Sequence, residues 1–352
     1  MRVIKLQKTL EQGVCAIIQN PVSRFYLSGF RSSAGMIALT VDKAVLFVDF
    51  RYFEKAKKTV QNMEVVLASN FIANIKELLE TENIKKVLLE TDFVNLDSFE
   101  RMKNVFEGIE VSTDNSLSQT INSLRQIKSA EEIECIKKSQ EITDNAFTHI
   151  LNFIKEGITE REIALELEFF VRKSGSEGVA FDTIAVSGKN SSLPHGVPTD
   201  KPLEAGDFLT MDFGAVYNGY CSDMTRTVAI GFVTDEQQKV YDTVLKAQLS
   251  ALKEITPNKA CKEIDKIARD IINKEFEGCF GHGLGHSVGL EIHENPALNT
   301  RDETLLKAGI IMTVEPGIYL PDKFGVRIED MVLITDTSHE NLTKSPKELI
   351  II

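Results

Sequence analysis

The first 120 or so residues alternate short apolar runs with amphipathic stretches. VCAII, MIALT, AVLFV, VVLA and KVLLE have the length and composition of strands, while FRYFEKAKK and FIANIKELLE between them have helical spacing. That rhythm predicts a mixed α/β domain with helices covering a sheet. No GxGxxG or GxxxxGK run occurs in this half, so no phosphate-binding loop is expected. From Ser129 the pattern changes. Ser129 and Glu132 form a capping box, and Ile133, Ile136, Ala146, Phe147 and Ile150 give an apolar face, predicting a long helix over 129–155. A second amphipathic helix starts at Glu160, followed by the strand-like DTIAVS, FLTMDFGAVY and RTVAIG. Helices are then predicted over about 235–255 and 262–276, ahead of the glycine-rich GHGLGHSVGL and the strand-like IIMTVEPGIYL and GVRIEDMVLIT. The order helix, strands, helix, strands suggests two similar halves around one site, although no direct repeat is visible in the letters.

With 352 residues, 43% of them apolar, the chain is long enough for two domains with their own cores. A net charge of −12 argues against nucleic acid or an anionic membrane surface as partner and favours a small-molecule or peptide substrate. The N-terminal MRVIKLQKTLEQG lacks the apolar core of a signal peptide, and no later run has the length of a membrane span. Five singly placed cysteines read as reduced thiols of a cytoplasmic protein.

Acids inside buried-looking strands are the anomaly, because a desolvated carboxylate is costly unless a cation compensates it. Asp212 sits in FLTMDFGAVY, Glu315 in IIMTVEPGIY and Glu329 in GVRIEDMVLIT. Asp223 follows Asp212 by eleven residues across the turn-like YNGY, a separation that suits a hairpin returning one carboxylate beside the other. Singly, each acid reads as a salt-bridged or strand-end carboxylate. Together with His286 they read as an oxygen-rich metal site with one imidazole, suited to Mn2+, Co2+, Fe2+ or Zn2+. Five ligands exceed what one structural zinc takes, so two ions about 3.5–4 Å apart are expected. Of six histidines, His195, His282, His286 and His293 lie in or near Gly/Pro-rich segments around the acids, whereas His149 and His339 read as surface residues. HGLGH on its own is equally a loop with two incidental imidazoles. Arg327, two residues before Glu329 in one predicted strand, is expected on the same face, orienting a carboxylate, binding substrate or making a cross-strand ion pair.

MDFGAVYNGYCSDMTRT, GHGLGHSVGLEIHENP, TVEPGIYLP and GVRIEDMVLIT together closely resemble the Xaa-Pro aminopeptidase and Xaa-Pro dipeptidase (prolidase) group of metallopeptidases. NPVSRFYLSGFRSSAG and LFVDFRYFEKAK look like the smaller N-terminal domain of the same group. The resemblance implies an α/β (α+β) fold: a creatinase-like α/β domain over 1–123 and a pita-bread catalytic domain over 124–352. It also implies two divalent metal ions, Mn2+ ahead of Co2+, Zn2+ or Fe2+, and a homodimer or higher homo-oligomer. Carried over by position, Asp212 resembles the chelating ligand of the first metal, Asp223 and Glu329 the bridging carboxylates, and His286 and Glu315 the remaining ligands of the second. His195 matches the substrate-binding histidine, His293 the one near the scissile bond, His282 the pocket histidine and Arg327 the arginine behind the bridging glutamate. No ligand position departs from the pattern, which counts against a metal-free relative.

A bond to proline is a tertiary amide without an N–H, so peptidases that grip that N–H handle it poorly. The expected reaction is attack on its carbonyl by a hydroxide bridging the two metals, with Glu315 taking the water's proton and His293 or His195 hydrogen-bonding the developing oxyanion. An Xaa-Pro aminopeptidase acting on proline-containing peptides of three or more residues is the leading expectation, and an Xaa-Pro dipeptidase its alternative. A methionine aminopeptidase and a non-catalytic scaffold of the same fold stand behind them.

Overall fold

Each apolar run of the N-terminal third is a strand: β1 (Val14–Ile18), β2 (Met36–Leu39), β3 (Ala44–Val48), β4 (Glu64–Leu67) and β5 (Lys86–Leu89), joined by a short β6 (Glu110–Val111). They form one mixed sheet in the order β4-β3-β2-β1-β5-β6, in the computed structural model that describes residues 2–352. Helices α1 (Arg2–Gln7), α2 (Pro21–Ser28), α3 (Phe50–Thr59), α4 (Phe71–Thr81), α5 (Leu96–Val105) and α6 (Ser116–Gln126) intervene. Cys15, Ile17, Phe47, Val87 and Leu89 of the sheet share a core with Ile75 and Leu79 of α4 and Met102 of α5. Burial of each large apolar side chain there contributes about 1.5–3 kcal/mol. This compact unit ends at Arg125, and a second spans Gln126–Ile352.

The second unit opens on the expected capping box: Ser129 Oγ accepts from the Glu132 N–H, and the Glu132 carboxylate accepts from the Ser129 N–H at 2.8 Å. Helix α7 (Ala130–Ile150) stops short of the predicted end, because the chain turns so that Ile154 joins Ile150 in the core. Helix α8 (Glu160–Lys173) packs on α7. Strands β7 (Ile184–Ser187), β8 (Phe208–Phe213) and β11 (Met224–Ala229) form an antiparallel sheet in the order β11-β8-β7, with β9 (Val216–Tyr217) and β10 (Tyr220–Cys221) as a separate hairpin. Phe147, Leu167, Leu209, Met211 and Val228 bind these helices and strands into one core.

The second half repeats the plan. Helices α9 (Asp235–Glu254) and α10 (Cys261–Asn273) pack on each other and share a core with a five-stranded sheet through Val244, Ile264, Met312 and Val332. That sheet runs β13-β12-β14-β17-β18, made of β12 (Gly285–Ser287), β13 (Glu294–Leu298), β14 (Ile311–Val314), β17 (Asp330–Ile334) and β18 (His339–Asn341). Strands β15 (Gly317–Leu320) and β16 (Phe324–Arg327) form a further antiparallel pair. No helix among the described residues is long and apolar enough to cross a membrane.

Candidate metal centre

Asp212 lies in β8 directly opposite Thr225 of β11. Between them the chain makes the β9–β10 hairpin, whose central Asn218 and Gly219 have φ of 46° and 87°, the left-handed pair that a type I′ turn requires. The excursion returns Asp223 to the foot of β11, beside Asp212, as the spacing suggests. Gly214 permits the crossing, since a Cβ there would lie 1.9 Å from the Ser222 carbonyl oxygen.

Glu315 and Glu329 are not inside strands, contrary to the pattern-based expectation. The β14–β17 ladder ends with Val314 opposite Asp330, and the β15–β16 ladder resumes with Gly317 opposite Arg327. Glu315 and Pro316 on one side, Ile328 and Glu329 on the other, fall in the gap between the two ladders. Pro316 has no N–H to give a ladder, which fixes the break there. Arg327 therefore ends one strand and Glu329 precedes the next, so strand alternation is not what brings them to the same cavity. His286, in β12, donates its backbone N–H to Thr313 Oγ1 at 3.0 Å. This close approach needs Gly285, where a Cβ would stand 2.0 Å from the Thr313 carbonyl oxygen.

One cavity of about 830 Å³ is lined by all the candidate residues: Asp212, Asp223, His286, Glu315, Glu329, His195, His282, His293 and Arg327. Asp223, His286 and Glu329 present ligand atoms that all lie within 4.8 Å of one another. His286 Nε2 is 3.4 Å from Glu315 Oε1 and 3.6 Å from Asp223 Oδ2. Its Nδ1 faces the Ser287 carbonyl at 3.2 Å, a contact that favours the proton on Nδ1 and leaves the Nε2 lone pair toward the acids. Burial, helped by His293, pushes the His286 pKa down to about 4, so the ring is neutral at physiological pH.

The acids show the opposite response. Burial, reinforced by the neighbouring carboxylates, drives Asp223 and Glu329 well above the usual range, and burial pushes Glu315 up to about 8 against the pull of Arg327. Asp212 Oδ1 and Glu329 Oε1 are buried with no hydrogen-bond partner among the described residues. Orphaned buried oxygens cost about 1–3 kcal/mol each. Unpaired carboxylate oxygens, mutually repelling acids and a neutral imidazole fit a divalent cation centre.

Arg327 braces one wall. Nε donates to Thr225 Oγ1 at 2.9 Å, Nη1 to Tyr319 Oη at 2.8 Å and the Pro194 carbonyl at 3.1 Å, and Nη2 to Asp212 Oδ2 at 2.6 Å. The Thr225 hydroxyl in turn donates to Glu329 Oε2 at 2.8 Å. His282 has both ring nitrogens engaged, Nε2 with Tyr319 Oη at 2.9 Å and Nδ1 with the Gly283 carbonyl at 2.8 Å. His195 and His293 are exposed in the cavity, the latter with its ring centroid 4.4 Å from that of His286.

A carboxylate-rich, cation-demanding pocket between two helix-backed halves agrees with the sequence comparisons. The profile of metallopeptidase family M24 matches residues 134–336, and that of the creatinase/prolidase N-terminal domain matches residues 2–127. The chain belongs to metallopeptidase family M24. An Xaa-Pro dipeptidase of Pyrococcus furiosus is 40% identical over 99% of this chain and 99% of its own length. The solved Xaa-Pro dipeptidase from Bacillus anthracis superposes with a TM-score of 0.96 at 40% identity, over 100% of this chain and 99% of that one. An X-Pro aminopeptidase from Thermotoga maritima superposes at 0.92 with 38% identity, over 99% and 100%. The Gln126–Ile352 unit is accordingly the pita-bread domain of an M24 enzyme, for which divalent metal is the implied cofactor.

Several supports of this M24 site escaped the sequence reading. Asp265, buried on α10, accepts from Arg269 at 2.8 Å through both oxygens and from the Leu284 N–H at 3.1 Å. Arg269 also donates to the carbonyls of Phe280 and His282 at 2.9 and 2.8 Å, so the pair clamps the loop that carries His282 and His286. The signal was present: Asp265 falls on the helix face shared by Cys261, Ile264, Ala268 and Ile272. Lys128, with its side chain buried, bridges Ser287 Oγ at 3.0 Å and Glu294 Oε2 at 3.2 Å, tying together the segments of His286 and His293. Nothing local in the sequence marks that contact, which spans about 160 residues.

Proposed function

We propose that the chain hydrolyses Xaa-Pro dipeptides, with two divalent ions, Mn2+ foremost, held by Asp212, Asp223, His286, Glu315 and Glu329. The observation that carries the proposal is the convergence of Asp223, His286 and Glu329 within ligand distance, beside two orphaned carboxylate oxygens. The Pyrococcus furiosus and Bacillus anthracis Xaa-Pro dipeptidases, similar over almost the whole chain, support the choice of substrate. Divalent ions bound there would polarise the scissile carbonyl and lower the pKa of a coordinated water.

The chain's own residues supply the rest. Glu315, whose Oε1 lies 3.4 Å from His286 Nε2 at the edge of the proposed ion site, accepts the proton of the attacking water in its ionised form. His293 and His195, the exposed imidazoles of the cavity, hydrogen-bond the carbonyl oxygen as it becomes negative. Arg327 holds Asp212 and, through Tyr319, fixes the orientation of His282 on the cavity wall. Because proline offers no N–H, recognition rests on the free amine and the carbonyl rather than on that donor.

An Xaa-Pro aminopeptidase is the second reading. The similarity to the Thermotoga maritima X-Pro aminopeptidase and a cavity of about 830 Å³, in the range that holds a drug-sized ligand and so has room beyond a dipeptide, favour it. Hydrolysis of Ala-Pro beside Ala-Pro-Ala by the Mn2+-loaded protein, with a chelator control, separates the two. Cleavage of the dipeptide alone supports the dipeptidase, and cleavage of the tripeptide alone replaces it with the aminopeptidase. Failure on both overturns the Xaa-Pro reading.

A further inference from the structure

Behind Glu329, away from the cavity, lies a buried polar cluster that takes no part in the chemistry above. Arg226 is 1% exposed and Asp330 is fully buried. Every guanidinium N–H of Arg226 is used. Nε donates to the Pro346 carbonyl at 2.8 Å, Nη1 to the carbonyls of Thr225 at 2.9 Å and of Glu329, and Nη2 to Asp330 Oδ1 and the Ser345 carbonyl, both at 2.8 Å. Asp330 Oδ2 accepts from Lys347 Nζ at 2.6 Å, Asn341 Nδ2 at 2.7 Å and Gln248 Nε2 at 3.0 Å.

A buried ion pair is a poor investment in stability alone, since apolar replacements of similar volume are often neutral or better. An apolar pair cannot, however, hold carbonyl groups in place. The two neighbouring carbonyls that Arg226 holds belong to Thr225 and Glu329, and the buried Thr225 hydroxyl donates to the carboxylate of the cavity-lining Glu329 at 2.8 Å. Glu329 lies in the break between two ladders, and its backbone is otherwise tied by its N–H to the Thr225 carbonyl at 3.1 Å. Glu329 lines the cavity and Thr225, opposite Asp212 in the β8–β11 ladder, supports it from behind, while Arg226 and Asp330 are buried in the core beyond them.

We infer that Arg226, held by Asp330, is a positioning residue for the metal centre: it fixes the backbone at Thr225 and Glu329 and so the direction of the Glu329 carboxylate. The inference rests on the metallopeptidase reading of the cavity. Loss of a supporting partner behind a metal ligand typically weakens metal binding about 10–100-fold.

The test is Mn2+ titration of the metal-free full chain by calorimetry, with thermal unfolding in parallel, for Arg226→Lys and Asp330→Asn. Val244→Ala, a cavity-forming change in the α9 core, serves as a control that lowers stability without removing any hydrogen-bonding group of this cluster. Arg226→Lys and Asp330→Asn are expected to lose about 10–100-fold in Mn2+ affinity, and Val244→Ala to keep it despite a lower Tm. Wild-type Mn2+ affinity in a folded Arg226→Lys or Asp330→Asn chain overturns the inference. Should Arg226→Lys not fold, Asp330→Asn decides, because it keeps the arginine and an acceptor oxygen. A wild-type chain that binds none of Mn2+, Co2+, Zn2+ or Fe2+ defeats the metal-centre reading of the cavity itself, whereas a wild type that binds and cleaves, beside variants that bind equally well, defeats the positioning role alone.

Discussion

Proton release ought to govern how strongly a divalent metal stabilises this protein. Metal-free, the folded chain holds protons on Asp223, Glu315 and Glu329 that the unfolded chain gives up near pH 4. The folded state then binds more protons than the unfolded one, so metal-free stability declines as pH rises from about 4 and, for Glu315, levels off above about 8. Bound metal displaces those protons and removes the penalty. His286, already neutral above about pH 4, offers no proton competition there. Free Mn2+ at 100 times its dissociation constant contributes about 2.7 kcal/mol. For a domain of this size that raises Tm by about 5–11 °C. If one proton leaves per binding event, affinity changes about tenfold, or roughly 1.4 kcal/mol, per pH unit below the Glu315 value. The Mn2+-induced shift measured by scanning calorimetry at fixed free Mn2+ should therefore be about 5–11 °C larger at pH 8 than at pH 6, and should vanish in Asp223→Ala. Equal shifts at the two pH values, or a shift that survives Asp223→Ala, would refute this account of the site.

Other perturbations separate the parts. His293→Ala should lower kcat about 10²–10³-fold toward an Xaa-Pro peptide while leaving Mn2+ stoichiometry intact; a parallel loss of metal would place the residue among the ligands instead. Asp265→Ala strips Arg269 and the Leu284 N–H of their buried acceptor, for an expected loss of about 2–4 kcal/mol in unfolding free energy and a raised KM. An unchanged Tm in that variant contradicts the clamp. Gly285→Ala forces a Cβ to within 2.0 Å of the Thr313 carbonyl oxygen, so β12 must retreat, at a cost of about 3 kcal/mol or more and with weakened Mn2+ binding. Wild-type Mn2+ affinity in Gly285→Ala would show that the His286 segment tolerates the displacement.

Much of this protein was legible in one dimension because the relevant signals are local. The N-terminal strands announced themselves by apolar runs of strand length, and α7 by its capping box, since hydrogen bonding at a helix start involves residues three apart. The acids were legible as an anomaly, carboxylates where water is excluded, and the Asn218–Gly219 turn explains why a spacing of eleven residues brings Asp223 back beside Asp212. Tertiary structure decided what depends on contacts between distant segments. The break that frees Glu315 and Glu329 from their strands arises where Pro316 interrupts pairing between two stretches that each read as a continuous strand. The Asp265–Arg269 clamp, the Lys128 bridge and the Arg226–Asp330 cluster are polar groups whose partners lie up to about 160 residues away. A sequence can reveal that a buried charge needs a partner, but which partner it meets is fixed only when the two halves fold around the cavity.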